Sequence, residues 1–472
     1  MEKVTIIGAG LAGLASGYEL VQHNIPVELI ESESGVGGLA ASVHHNGYTF
    51  DLGPHRIYSE YPEIIQFLKD LCKDELVTVD RHSRIRLHNR YFQYPLQSKE
   101  LMLHLSPLLP VKFLASYFLT NLKDWFSVRD DLSYAGWISH RFGKAMSSFF
   151  FEPYAQKVWG TPAGELSSDI AKQRLAQENL MATIKDIFRG HKKEAVKTAV
   201  PTFLYPKNGI GTISDKLADY IRYQKSQILN NQVVIGFRKS SNRIEKIIIE
   251  DKTDNSKREI EVDSIISTIP LPILVPLLTE DEKLRTICRS LKFQNIILVC
   301  LMFKKDRVTD DTWLYFPEKQ YPFTRMYEPK NFYTGLCPEG KSSLGIEITC
   351  GADSSVWSEP DNEIYQNLVP LLKQVELIDN EEEIEDYLMV RIPNAYPIYD
   401  LAYEMKLNKL FEFLGQFQNL ITTGRQGLFH HNNLDHSLLM GNAAAKYIVS
   451  KKSGSIGWYQ ELYQFDKFRV LD

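Results

Sequence analysis

Val4-Thr5-Ile6-Ile7-Gly8-Ala9-Gly10-Leu11-Ala12-Gly13 opens the stretch that decides the fold, and Val27-Glu28-Leu29-Ile30-Glu31 closes it. Val4 to Ile7 is a compact apolar run, the pattern of a parallel strand buried on both faces. Leu11 to Leu20 is apolar at helical spacing, and Asn24 and Pro26 stop it. Val27 to Ile30 is a second apolar run, and it ends on an acid, Glu31. Strand, glycine turn, helix, strand, acid is the order of a dinucleotide-binding unit. Gly8 permits the tight turn, Gly10 lets a pyrophosphate approach the backbone, and Gly13 allows the helix close to the strand. Leu11 and Ala12 begin the helix whose unpaired N–H groups and positive dipole end face the phosphates. Glu31 can accept hydrogen bonds from both ribose hydroxyls, and its charge repels a 2′-phosphate. A lone GxGxxG is weak; here its whole context is in place.

The next residues say how long the ligand is. Gly37-Gly38-Leu39 brings backbone close to it a second time, which suits a long dinucleotide such as FAD better than NAD. Tyr48 to Asp51 then alternates like a short strand and breaks at Gly53-Pro54, ahead of His55. Far along the chain, Leu420 to Thr423 is an apolar strand running into Gly424-Arg425-Gln426-Gly427, followed by Asp435 and a helix-forming run from Leu438.

Glu31, the Gly37-Gly38 pair and the Asp51-Leu52-Gly53-Pro54-His55 segment resemble the flavin-binding amine oxidase superfamily, which takes in protoporphyrinogen oxidases, carotenoid desaturases and UDP-galactopyranose mutase. The resemblance implies an α/β fold: a Rossmann-like FAD-binding domain with a parallel sheet, interleaved with an α+β substrate-binding domain. It implies noncovalent FAD, since no attachment motif is present. It also implies FAD contacts from Leu39 (where family oxidases often carry Arg), Val233 and Val234, Gly424, Asp435 and Met440. The FAD-binding domain would be discontinuous, 1–60, 201–289 and 416–472, with the substrate domain from 61–200 and 290–415.

Two chemistries stay open within this family. In the favoured one, an oxidoreductase passes hydride from a substrate C–H (or C–N) bond to flavin N5. In the other, reduced FAD acts as a nucleophile on a sugar nucleotide and its ring contracts without net redox, as in the mutases. His55 would tune the flavin or serve in acid–base chemistry, and Tyr396, in the aromatic loop Ala395 to Asp400, would face the ring. Arg425 and Arg174, with Arg84, would hold nucleotide phosphates in the mutase reading. Arg84, Arg86 and Lys157 are otherwise a solvated face or an anion site.

Bulk composition narrows partners and place. The 472 residues allow two or three domains, and a net charge of −5 gives no pull towards nucleic acid. The partner is a small molecule, with nucleotide-sugar and lipid-like substrates both admitted. Five cysteines, an odd number with no CxxC pair, favour a reducing compartment, and the cofactor strand begins too early to leave room for a signal peptide. A cytoplasmic protein is expected. Leu101 to Thr120 is as long as a bilayer span, yet Pro107, Pro110, His104 and Lys112 interrupt it. One or two buried helices are expected there; the alternative is a patch resting on the inner membrane face. Glu376 to Asp386 reads as a solvated helix face. His430, His431 and His436 lack the spacing of a metal site, so none is expected.

Overall fold

The computed structural model describes residues 3–94, 108–124, 131–174, 201–450 and 454–470. Its central feature is a five-stranded parallel sheet. Val4–Ile7 (β1) lies in the middle, between Ser264–Ser267 and Val27–Ile30 (β2); Leu420–Thr422 and Gln227–Leu229 form the edges. The strands thus come from the start, middle and end of the chain.

Side-chain alternation along these strands explains why both faces are covered. Ile6, Leu29, Ile266 and Ile421 point to one face, where they pack with the helices Leu11–Gln22 (α1), Gly211–Tyr223 and Leu434–Val449. Ile7, Ile30, Ile265 and Leu420 point to the other. There they meet Val234, Ile244, Ile247 and Ile249 of a three-stranded antiparallel ribbon, Gln232–Ser240, Arg243–Asp251 and Lys257–Glu261. Each such side chain contributes roughly 1.5–3 kcal/mol of burial. The fold is α/β, with the Rossmann-like sheet expected from the opening stretch.

A second, seven-stranded mixed sheet carries the other half of the site. Phe293–Phe303 runs through it with all eleven residues buried. Ile297, Val299, Leu301 and Phe303 face one core; Ile296, Leu298, Cys300 and Met302 face another. Its neighbours are Ile384–Pro397 and Ser342–Gly351, and beyond the latter lie Arg325–Tyr327, Trp313–Tyr315 and the hairpin Ser83–Leu87/Arg90–Gln93.

Several expectations need correction. The acidic stretch is no helix face: Glu381–Glu383 is one 3₁₀ turn, capped through Asn380 and Glu383, and the chain enters the long strand at Ile384. Glu383 ties the turn to Lys305 and Glu385 pairs with Lys341, so tertiary partners override the charge pattern. Ala395 to Pro397 finishes that strand and is not a loop. The closing helix starts at Leu434, four residues early, because Asn433 and His436 form its capping box. Residues 101–107 lie outside the described residues. The rest of the long apolar run begins the helix Leu108–Asp124. Far from being buried, this helix exposes Leu108, Val111, Phe118, Leu119 and Leu122. No helix among the described residues is long and apolar enough to cross a membrane.

Candidate active site

The glycine turn makes a cradle at the end of β1. Gly8 has φ +99°, and a Cβ on Gly13 would lie 2.0 Å from the Gly8 carbonyl oxygen, so only glycine lets α1 turn so tightly off the strand. Gly10 caps α1 without any side-chain hydrogen bond, leaving the first-turn N–H groups of Leu11 and Ala12 for a ligand. Gly37 donates its N–H to the Ala9 carbonyl at 2.8 Å and bridges Gly10, which places Gly38 against Gly10. A Cβ on Gly10 would meet only Gly38 Cα, at 3.9 Å, so the space beside it is open.

Glu31 stands at the end of β2, 8% exposed. Its Oε2 accepts from Ala9 N at 2.6 Å and its Oε1 from Glu33 N at 3.0 Å, which holds the carboxylate beside the turn with lone pairs to spare. The Glu31 carbonyl accepts from Gln232 N at 2.8 Å, and this bond sets Val233 and Val234 next to the same edge. On the opposite side Gly424, at φ +78°, abuts Ala12: a Cβ there would come within 2.7 Å of the Ala12 Cβ. Asp435, in the first turn of the closing helix, is buried; Oδ2 accepts from Ser59 Oγ at 2.6 Å, while Oδ1 has no hydrogen-bond partner and lies 3.8 Å from His436 Nδ1. A buried acceptor costs free energy unless something donates to it, so Oδ1 has capacity to accept from a ligand. Met440 is different. Its side chain is fully buried and its sulfur accepts from Asn432 Nδ2, so it supports the loop from within the core. Leu39 is half-buried and, with Tyr94, Phe150 and Tyr396, packs against the core around Phe50 and Ile296.

A second group of side chains forms a wall of rings and guanidinium groups. Trp159, Tyr396 and His431 meet edge to face, with ring centroids 5.2–5.9 Å apart. Arg174 donates through Nη2 to His431 Nε2 at 3.2 Å and lies over Trp159. Arg425 lies over Tyr396, and its donors go to the Ala395 carbonyl at 3.0 Å, to Asn432 Oδ1 at 3.1 Å and to the Asn432 carbonyl. Among the described residues no carboxylate pairs with it. Arg325 forms a bidentate pair with its cross-strand partner Glu347, at 2.7 and 3.0 Å, and reaches the Tyr396 hydroxyl at 3.4 Å. Glu347 also approaches Gly53, and His55 follows Pro54 there.

Charge is unevenly tolerated here. Burial, then Arg425 and Arg325, push the His55 imidazole down to about 3. Burial, then Arg174 and Arg425, hold His431 well below its ordinary range. Both rings are neutral at physiological pH, so His55 is a weak base and suits hydrogen bonding rather than proton transfer. The guanidinium groups keep their charge.

His55, Arg174, Tyr396 and Arg425 are therefore brought to one wall, but Arg84, Arg86 and Lys157 are not. Arg84 is clamped by Asp311, Arg86 by Tyr321, Asn89 and the Gln374 carbonyl, and Lys157 by the Phe316 and Glu318 carbonyls. All three are engaged within the fold, Arg86 fully buried and Arg84 with 35% of its side chain still exposed. Arg325, Glu347 and His431 were missed as site residues. The signal for the first two was a charge inside each of two mostly apolar runs of sequence, Phe323 to Tyr327 and Leu344 to Ile348.

The sequence model of one family, flavin containing amine oxidoreductase, matches residues 11–429. The chain belongs to this family. Its cofactor is FAD, which the open cradle at Gly10 and the orphaned Asp435 oxygen fit, and it is an FAD-dependent oxidoreductase. A coproporphyrinogen III oxidase of Staphylococcus aureus is 22% identical, covering 95% of this chain and 99% of its own length. A protoporphyrinogen oxidase of Dictyostelium discoideum is 23% identical over 87% and 92% of the two chains. A solved structure of reduced UDP-galactopyranose mutase superposes with TM-score 0.83 at 20% identity, covering 100% of this chain and 98% of that one. Putrescine oxidase bound to putrescine superposes with TM-score 0.62 at 14% identity, over 95% and 99%.

Proposed function

We propose that this oxidoreductase takes hydride from a C–H bond beside nitrogen or a π-system of a small molecule that carries anionic groups, a porphyrinogen being the best match. The observation that carries the reading is the wall itself: three neutral rings, Trp159, Tyr396 and His431, flanked by Arg174 and Arg425. FAD supplies the two-electron acceptor. The chain supplies the rest. Gly8 to Gly13, Glu31, Gly37-Gly38, Val233-Val234, Gly424 and Asp435 hold the cofactor. The rings offer an apolar, water-excluding face for a flat substrate, and the guanidinium groups orient its anionic substituents. With His55 and His431 neutral, the wall provides orientation rather than acid–base catalysis. The cofactor part is drawn from 1–60, 201–289 and 416–472, and the substrate part from 61–200 and 290–415.

A second reading rests on the same arginines. Arg174 and Arg425 would also suit the diphosphate of a nucleotide sugar, and the reaction would then be a ring contraction without net redox. Product analysis separates the two. Holoprotein is incubated in air with porphyrinogen, amine and polyene panels, and with nucleotide sugars in oxidised and dithionite-reduced form. Oxidised product from the first set supports the oxidoreductase. Isomerisation of a nucleotide sugar only in the reduced form would replace it with the mutase.

Five free, buried cysteines suit a reducing compartment such as the cytoplasm. The exposed apolar residues of Leu108–Asp124 suit peripheral contact with lipid, where a lipid-like substrate would be met. Flotation with anionic vesicles tests this: wild-type protein should float, and protein carrying both Phe118→Glu and Leu122→Glu should not.

A further inference from the structure

The bond from Arg174 to His431 fixes more than a distance. A guanidinium has five N–H donors, no acceptor, and does not lose its proton in proteins. At 3.2 Å from Arg174 Nη2, His431 Nε2 must therefore be the acceptor, so it carries no hydrogen. In a neutral imidazole the proton then sits on Nδ1. That Nδ1 is buried and has no hydrogen-bond partner, and the residue as a whole is 2% exposed. Its neighbours in the wall, Trp159 and Tyr396, approach edge to face, and neither makes a hydrogen bond to that nitrogen. The backbone around it is held as well, since His431 N donates to the Tyr399 hydroxyl at 2.6 Å. Tyr399 stacks on Tyr403 at 4.2 Å, and Tyr403 donates to Asp169 Oδ2 at 2.9 Å, at the start of the short helix Asp169–Arg174. The ring of contacts returns to Arg174, so both ends of the pair are fixed.

A buried donor without an acceptor is costly and needs an explanation. We propose that His431 is a specificity-determining residue, a fixed-tautomer donor whose Nδ1–H, on the ring edge turned away from Arg174, binds an anionic oxygen of the substrate, carboxylate or phosphate. The inference rests on the reading that an anionic substrate enters this wall, and it adds which atom reads the anion. His431 contributes a neutral, directional donor, while the two arginines contribute charge. An imidazolium would forfeit the acceptor for Arg174 and add a third positive charge, so the pair works only with the neutral ring.

Two variants and one spectrum test this on the FAD-loaded protein. Binding of uridine diphosphate and of coproporphyrin III is titrated through the flavin absorbance, the first probe standing for phosphate and the second for carboxylate. His431→Phe keeps a ring but loses both hydrogen bonds, and should weaken the preferred probe about tenfold or more. His431→Gln can accept from Arg174 through its oxygen and donate through its amide nitrogen, and should bind within about threefold of wild type. FAD content should be unchanged in both. In wild-type protein labelled with ¹⁵N-histidine, the His431 signals should show a neutral Nδ1–H tautomer that moves when the preferred probe is added. Unweakened binding by His431→Phe, no binding of either probe to wild type, an Nε2–H tautomer, or an Nδ1 signal that ignores the probe would each overturn the proposal. None of these readouts depends on turnover, so failure of the hydride chemistry is seen separately, in the product analysis.

Discussion

Glu31 shows how much one side chain does. It is held by Ala9 and Glu33 N–H groups at the end of β2, the position from which the acid of a dinucleotide-binding unit meets the ribose. Removing a charged acceptor of two hydroxyls costs about 1.5–3 kcal/mol, so Glu31→Ala should weaken FAD binding at least tenfold, measured by flavin release on dilution. Unchanged retention would remove Glu31 from the site. Asp51 is a second test. Its carboxylate, 1% exposed, accepts from Ser42 Oγ, Tyr205 Oη and Ile210 N, and burial pushes it up to about 6. Because the folded form holds the proton more tightly than the unfolded chain, this group favours folding at acid pH and loses that contribution as pH rises from about 4 to 6. Asp51→Asn should abolish that part of the pH dependence in denaturant titrations. Glu31 was legible in the sequence because its role follows from a local spacing. The Arg325–Glu347 pair was not, because it is made by cross-strand register between residues twenty-two apart that no local pattern links.

At the scale of elements, the loop and helix start from His430 to His436 form an acid-sensitive unit. Burial lowers His430 and His436 to about 4 and His431 further, and His55 beside them falls to about 3. The unfolded chain takes up protons on these four near pH 6.5 while the folded one does not, so stability falls as pH drops from about 6.5 towards 4. Asp51, and Asp435 within the unit itself, oppose this in part, because burial pushes their carboxyls up. The flavin-free protein should therefore melt at a markedly lower temperature at pH 5 than at pH 7; an equal melting temperature would mean the histidines are not buried as described. The helix Leu108–Asp124 makes the opposite kind of prediction. Its Phe118 and Leu122 are 54% and 55% exposed, so the charge-bearing variants used for flotation should leave the melting temperature and flavin content essentially unchanged. Its exposure was hidden in the sequence because an apolar run does not say what it will face. The two-sided strand Phe293–Phe303 has the same apolar signature and is buried throughout.

The whole molecule is organised by the parallel sheet, whose strands come from residues 4–30, 227–267 and 420–422. The opening glycine turn, the second glycine pair and the late Gly424 segment meet there although the last is some four hundred residues distant. That convergence made the cofactor readable from sequence: each piece has its own local pattern. The substrate wall has none, since it joins Arg174 of one short helix, strand ends at Arg325 and Tyr396, and the His431 loop. FAD held only by these contacts should leave the protein on denaturation and stay in the supernatant after precipitation. The most direct test of the account is anaerobic mixing of the FAD-loaded protein with a porphyrinogen while the visible flavin band is followed. The account predicts that the band bleaches as the substrate is oxidised and returns when an electron acceptor is admitted. A band unmoved by porphyrinogens, amines and polyenes, in a protein that isomerises a nucleotide sugar once reduced, would contradict it.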